Sequence, residues 1–89
     1  MFVGKVCGNL IATRKNEKLV GSKFLVVKPL DTMKESNSGM IVAVDLVGAG
    51  IGEEVLVVSG SSARVVLDRE DSPVDAAIVG IVDNIDIRE

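Results

Sequence analysis

Phe2-Val3-Gly4-Lys5-Val6-Cys7-Gly8-Asn9-Leu10-Ile11-Ala12-Thr13 is the stretch on which the fold turns. Its even positions are Phe2, Gly4, Val6, Gly8, Leu10 and Ala12, while the odd ones mix Lys5, Asn9 and Thr13 with Val3, Cys7 and Ile11. A period of two belongs to a strand, whose successive side chains point to opposite faces. The pattern predicts a strand over 2–13 with the even face inward. Glycine at two of the inner positions, Gly4 and Gly8, marks close approach or sharp curvature, as where a strand coils around a small barrel.

The rest of the chain repeats the theme. Arg14-Lys15-Asn16-Glu17 reads as a charged turn, and residues 23–30 as a second strand ending at Pro29, where proline costs no central ladder bond. Residues 32–39 are polar and read as an exposed loop. A third strand is expected over 40–47, with Asp45 its one charge, and a fourth over 54–59. Between them lies Gly48-Ala49-Gly50-Ile51-Gly52, with three glycines in five residues. Ser61 or Ser62 is placed to N-cap a short helix through 63–67, kept to one or two turns by its valines. Residues 68–72 are charged and loop-like, and 77–87 reads as the last strand. Five strands and one short helix make an all-β chain, a small five-stranded OB-like β-barrel in a single domain over 1–89.

Composition sets the partners. Of the 89 residues, 47% are hydrophobic, more apolar material than so small a core needs, so part of it is expected to cover another subunit. No apolar run approaches the roughly 18–20 residues that span a bilayer, so no membrane is expected. No basic segment leads a long apolar one near Met1, so no signal peptide is read and the expected location is cytoplasmic. The net charge is −3, lysine and arginine are scattered, and the aromatic residues are Phe2 and Phe24 alone. A nucleic-acid platform needs positive charge and aromatic faces, so nucleic acid is not an expected partner.

Chemistry fails on missing side chains. With one cysteine and no histidine, Cys7 has neither a disulfide partner nor an imidazole base, and a zinc or copper site within one chain is not expected. The spacing of Gly48, Gly50 and Gly52 is G-x-G-x-G, followed by Glu53-Glu54 and a strand rather than a helix, which disfavours a phosphate. Ser61-Ser62-Ala63-Arg64 has the outline of S-x-x-K, but arginine stays protonated and cannot serve as base. Asp45, Glu53 and Arg64 read better as ion-pair or backbone-capping groups. No catalytic residue and no cofactor is expected. Two readings remain, a self-associating structural protein and an OB-like module for a small ligand or nucleic acid.

Several segments together resemble one family. They are Gly21-Ser22-Lys23-Phe24-Leu25-Val26-Val27 with Pro29-Leu30-Asp31, then Asp45-Leu46-Val47-Gly48-Ala49-Gly50-Ile51-Gly52-Glu53, then Gly60-Ser61-Ser62-Ala63-Arg64, and Pro73-Val74-Asp75-Ala76-Ala77-Ile78-Val79-Gly80. In order and over nearly the whole chain, these resemble the vertex proteins of bacterial microcompartments, of the carboxysome and ethanolamine-utilisation types. The resemblance implies a compact β-barrel that forms homopentamers. It implies a place at the fivefold vertices of a polyhedral shell in the cytoplasm, among hexameric shell proteins, around a narrow axial opening. A ring needs head-to-tail contacts that close on themselves, and small residues let backbones approach. The expected subunit-interface or axial-pore segments are therefore Asp45, Gly48, Ala49, Gly50, Gly52 and Glu53, with Gly60, Ser61, Ser62, Ala63 and Arg64.

Overall fold

The computed structural model describes residues 1–12, 16–30, 39–67 and 74–88. The strands are β1 (Phe2–Leu10), β2 (Phe24–Pro29), β3 (Ile41–Asp45), β4 (Glu54–Ser59) and β5 (Ala76–Ile81), with one helix, α1 (Ser61–Val66), between β4 and β5. They close into a barrel in the order β1-β2-β3-β5-β4, back to β1. All neighbours are antiparallel except β3 and β5, which run parallel through Val44↔Ala77 and Asp45↔Ile78. The expected all-β barrel with one short helix is what forms. The polar loop expected at 32–39 (save Gly39) and the charged loop at 68–72 lie outside the described residues.

The core is filled by small branched side chains. Val6, Leu25, Val27, Ala43, Ala49, Val55, Val57, Ala76 and Ile78 form one buried cluster, flanked by Phe2 and Ile41. Valine suits a strand, and a narrow barrel leaves little space for anything larger. A second cluster, Val58, Ala63 and Ala77 with Val79 against it, seats α1 on the outside of β4 and β5.

Gly4 lies inside, as the alternation predicts, and is buried. A Cβ there would overlap Val27 Cγ1 and come within 3.0 Å of the Lys28 carbonyl oxygen. Gly8 differs from the expectation. The β1–β2 register slips between Val6 and Gly8, so Val6 stands opposite Val27 and Gly8 opposite Val26. A bulge inserts one residue and breaks the alternation. A Cβ on Gly8 would meet Val26 alone, at 3.8 Å. The even face is therefore inward only to Val6, and Leu10 is exposed. Pro29 pairs with Gly4 at the end of β2, and the next amide, Leu30 N–H, donates to the Val3 carbonyl at 2.9 Å.

Three further local expectations are revised. Of the charged turn expected at 14–17, the first two residues lie outside the described residues, and Asn16 N-caps a 3-10 turn, Glu17–Leu19, accepting from Lys18 N–H at 2.9 Å. The helix is capped at Gly60 and not by a serine side chain; Ser61 and Ser62 are its first two residues. The last strand ends at Ile81 and not at 87, because the final rung to β4 is Val82 N–H to the Glu54 carbonyl at 2.8 Å. Beyond it the chain has left the barrel.

Gly60 turns the chain from β4 into α1 with φ +65° and ψ −143°, a combination that side chains with a Cβ avoid. A Cβ at this position would touch nothing, so the whole penalty of Gly60→Ala is backbone strain. We expect the substitution to cost about 1–3 kcal/mol, read as a lower urea midpoint with an unchanged slope. An unchanged midpoint would show that α1 can be entered by another path.

Candidate functional site

The loop at residues 46–52 is built on two carboxylates. Asp45 closes β3 with its side chain only 2% exposed. Its Oδ1 accepts from Val47 N–H at 3.1 Å and its Oδ2 from Ala49 N–H at 3.0 Å. Lys23, at the entrance to β2, brings Nζ to 3.3 Å from Oδ2 and donates also to the Ala49 carbonyl at 3.1 Å. Burial works to raise the Asp45 pKa. The Val47 and Ala49 amides, then the hydrogen bond and charge of Lys23, outweigh it and hold the carboxyl below its ordinary value.

The second carboxylate works at the other end of the loop. Glu53 Oε1 accepts from Gly50 N–H at 2.7 Å, and Glu53 N–H returns a bond to the Gly50 carbonyl at 3.2 Å. The loop is then tied to β1 by Gly52 N–H to the Val6 carbonyl at 2.8 Å and Val6 N–H to the Glu53 carbonyl at 2.9 Å. Gly48 and Gly52 take φ of +78° and +94°, which is why glycine stands at these two corners. The amides of 46, 47, 49, 50, 52 and 53 are thus all donating within the chain. A phosphate cradle needs such amides free and converging, so the loop is a rigid corner and not an anion site.

Asp45 and Glu53 are therefore the backbone-capping groups that their positions suggested. Lys23 is the member that sequence reading missed as a site residue. A lysine opening an apolar strand was its only signal, and its partner lies at the end of the adjacent strand, β3. Ala49 is turned inward, 1% exposed, and Ala63 is buried against the barrel under α1. Gly48, Gly52, Gly60, Ser61 and Ser62 are exposed, while Gly50 and Arg64 are half-buried. The two segments are both present on the surface, but no bond between Glu53 and Arg64 joins them among the described residues.

What the loop offers outward is apolar. Leu46, Val47 and Ile51 are exposed, as are Val65 and Val66 on α1 and Val20 after the 3-10 turn. An open groove of about 430 Å³ runs between Val20, Lys23, Leu46, Val66 and Leu67. A second, of about 390 Å³, lies on the other side of Lys23 against Leu10, Ile11 and Phe24. Cys7 is exposed, with Sγ 3.4 Å from the Val26 carbonyl oxygen and 3.8 Å from Met40 Sδ. Among the described residues no three His, Cys, Asp or Glu come together as a metal site. No helix of the described chain is long and apolar enough to cross a membrane.

A closed small barrel with a clamped glycine corner and an apolar exterior matches a known group. Residues 1–83 match the family described as "Ethanolamine utilisation protein EutN/carboxysome". The chain belongs to this family.

Among curated family members, it is 48% identical over 86 residues to the bacterial microcompartment shell vertex protein GrpN of Rhodospirillum rubrum, with 97% of each chain covered. It is 44% identical to the carboxysome shell vertex protein CcmL of Synechococcus elongatus, over 98% of this chain and 88% of that one. Among solved structures, the barrel is similar to the "GrpN pentameric microcompartment shell protein from Rhodospirillum rubrum". The TM-score is 0.85 at 46% identity, covering 99% of this chain and 100% of the other. These family members are named as shell proteins and not as enzymes. The resemblance read from the four sequence segments thus holds at the level of family and fold.

Proposed function

We propose that this chain is the vertex subunit of a bacterial microcompartment. Five copies form a ring that caps a fivefold corner of the shell, inside the cell's cytoplasm, bordered by hexameric shell proteins. One observation carries the reading: the chain matches, end to end and at 0.85 TM-score, a shell protein whose solved structure is pentameric. The physical chemistry supports it. The subunit core is small and complete, yet large apolar side chains remain outside, from Ile11 and Val20 to Ile51, Val65 and Ile87. Surfaces of that kind mark association sites. The residues proposed for the subunit contact or the axial opening are the exposed members of the two segments, Gly48, Gly52, Gly60, Ser61 and Ser62. Asp45, Gly50, Glu53 and Arg64 stand behind them, and the buried Ala49 and Ala63 seat each segment on its own barrel.

Native mass spectrometry tests the ring. A dominant species of five chains of 9.4 kDa is expected. A monomer at all concentrations would overturn the proposal. The loop is tested by Ile51→Asp, which places a charge on its exposed tip without touching the clamps. This variant is expected to lose the five-chain species while keeping the far-ultraviolet spectrum of a folded barrel. A ring of unchanged yield would remove the loop from the contact. Gly50→Asp is a poorer probe, because a Cβ there lies 3.4 Å from Glu53 Oε1 and the new carboxylate would break the clamp itself.

A further inference from the structure

We infer that residues 83–87 of one subunit dock as an extended, amphipathic strand in the neighbouring subunit's groove between Val20, Leu46 and Val66, with Asp83 directed at Lys23. This rests on the ring proposed above and names the contact that closes it.

The segment behaves as a strand without a partner. After the Val82 rung its amides make no ladder bond among the described residues. Asp86 Oδ2 lies 3.2 Å from Arg88 Nε, a contact between alternate residues that an extended backbone allows. Asn84, Asp86 and Arg88 then form one polar face, and Asp83, Ile85 and Ile87 the other. Ile85 and Ile87 are 49% and 76% exposed, so a large part of each side chain is left uncovered by their own chain.

The groove is the complement of that second face. Its rim is apolar, with Val20 64%, Leu46 45% and Val66 46% exposed. Lys23 sits within it with its side chain 55% exposed. Two of its Nζ bonds go to Asp45 and the Ala49 carbonyl, and an ammonium has three donors. An acid followed by two alternating isoleucines thus meets a lysine followed by an apolar trough. Segment and groove are different patches of one surface, so the contact is head-to-tail and can close a ring. The occupant is a second copy of this chain.

The double variant Ile85→Asp with Ile87→Asp is expected to weaken five-chain assembly at least ~100-fold in native mass spectrometry, the loss expected when two buried isoleucines become charges. Val66→Asp, on the groove side, should do the same. All three positions are exposed in the subunit, so the monomer should stay folded by circular dichroism. Site-specific cross-linking locates the contact. In a Cys7→Ser background, Val66→Cys with Ile87→Cys should give a ladder of linked chains up to five. If the unaltered protein is not pentameric, the ring reading fails and this inference with it. If it is pentameric and the double variant assembles normally, this inference alone fails. A ladder from Leu10→Cys with Ile87→Cys, and none through Val66, would place the segment in the other groove and overturn the assignment.

Discussion

Gly4→Ala should melt roughly 4–24 °C below the parent chain, taking about 1–3 kcal/mol for overpacking and about 4–8 °C per kcal/mol in a domain of this size. The added methyl would overlap Val27 Cγ1 and stand 3.0 Å from the Lys28 carbonyl oxygen. Val27 is itself fully buried in the barrel core, so it cannot swing away without displacing its neighbours. The carbonyl belongs to β2, where moving it disturbs the β1–β2 pairing through Gly4↔Pro29 and Lys5↔Lys28. Gly8→Ala is the comparison, since its Cβ would make only an ordinary contact with Val26. That variant should melt within a few degrees of the parent, or slightly above it, because alanine loses less chain entropy than glycine. Melting curves at one protein concentration decide the matter. Equal losses at both glycines would show that steric crowding at Gly4 is not the reason for it.

Asp45→Ala carries the other large effect, about 2–3 kcal/mol, chiefly from leaving the Ala49 amide without an acceptor in a partly buried corner. The same charge predicts how stability responds to acid. The folded carboxyl has a pKa held below its value in the unfolded chain. Its contribution is therefore complete above the unfolded value, near pH 4, and is lost as pH falls through the lower folded value. Between pH 7 and about 5 the contribution is flat. Asp45→Asn keeps an acceptor but not the charge, so it should be less stable than the parent near neutrality and should lose this segment of acid dependence. Denaturant titrations at pH 7, 4 and 3 provide the test. Parallel losses in both chains on acidification would mean that other carboxylates, not Asp45, set the acid limit.

Much of this was legible in the sequence because it depends on period and on residue type. Alternation located the first strand and apolar, valine-rich runs the other four, and glycine at position 4 announced the tight pass of β1 over β2. Where reading stopped, the missing information was spatial. Alternation persists through Asp83, Ile85 and Ile87, but a strand exists only while a neighbour bonds to it, and β4 supplies no rung beyond Val82. The bulge that separates Gly8 from Gly4 is a register event between two strands, invisible within either one. Lys23 and Asp45 meet because Asp45 N–H bonds to the Lys23 carbonyl at 2.9 Å across β2 and β3, a pairing that no local pattern encodes. The helix cap was misassigned for a different reason. Serine is the commoner N-cap, but the sharp exit from β4 demanded a backbone angle that placed Gly60 there first.

The barrel closes on strands from its own chain, and its core cluster is drawn from nine residues of that chain. Folding and ring formation are therefore expected to be separate reactions, the first independent of concentration and the second steeply dependent on it. Dilution should return intact subunits, not denatured chain. A corner piece of this kind can be made in advance and kept as a stock of folded parts. The closing of a shell would then be timed by how many such parts the cell has made.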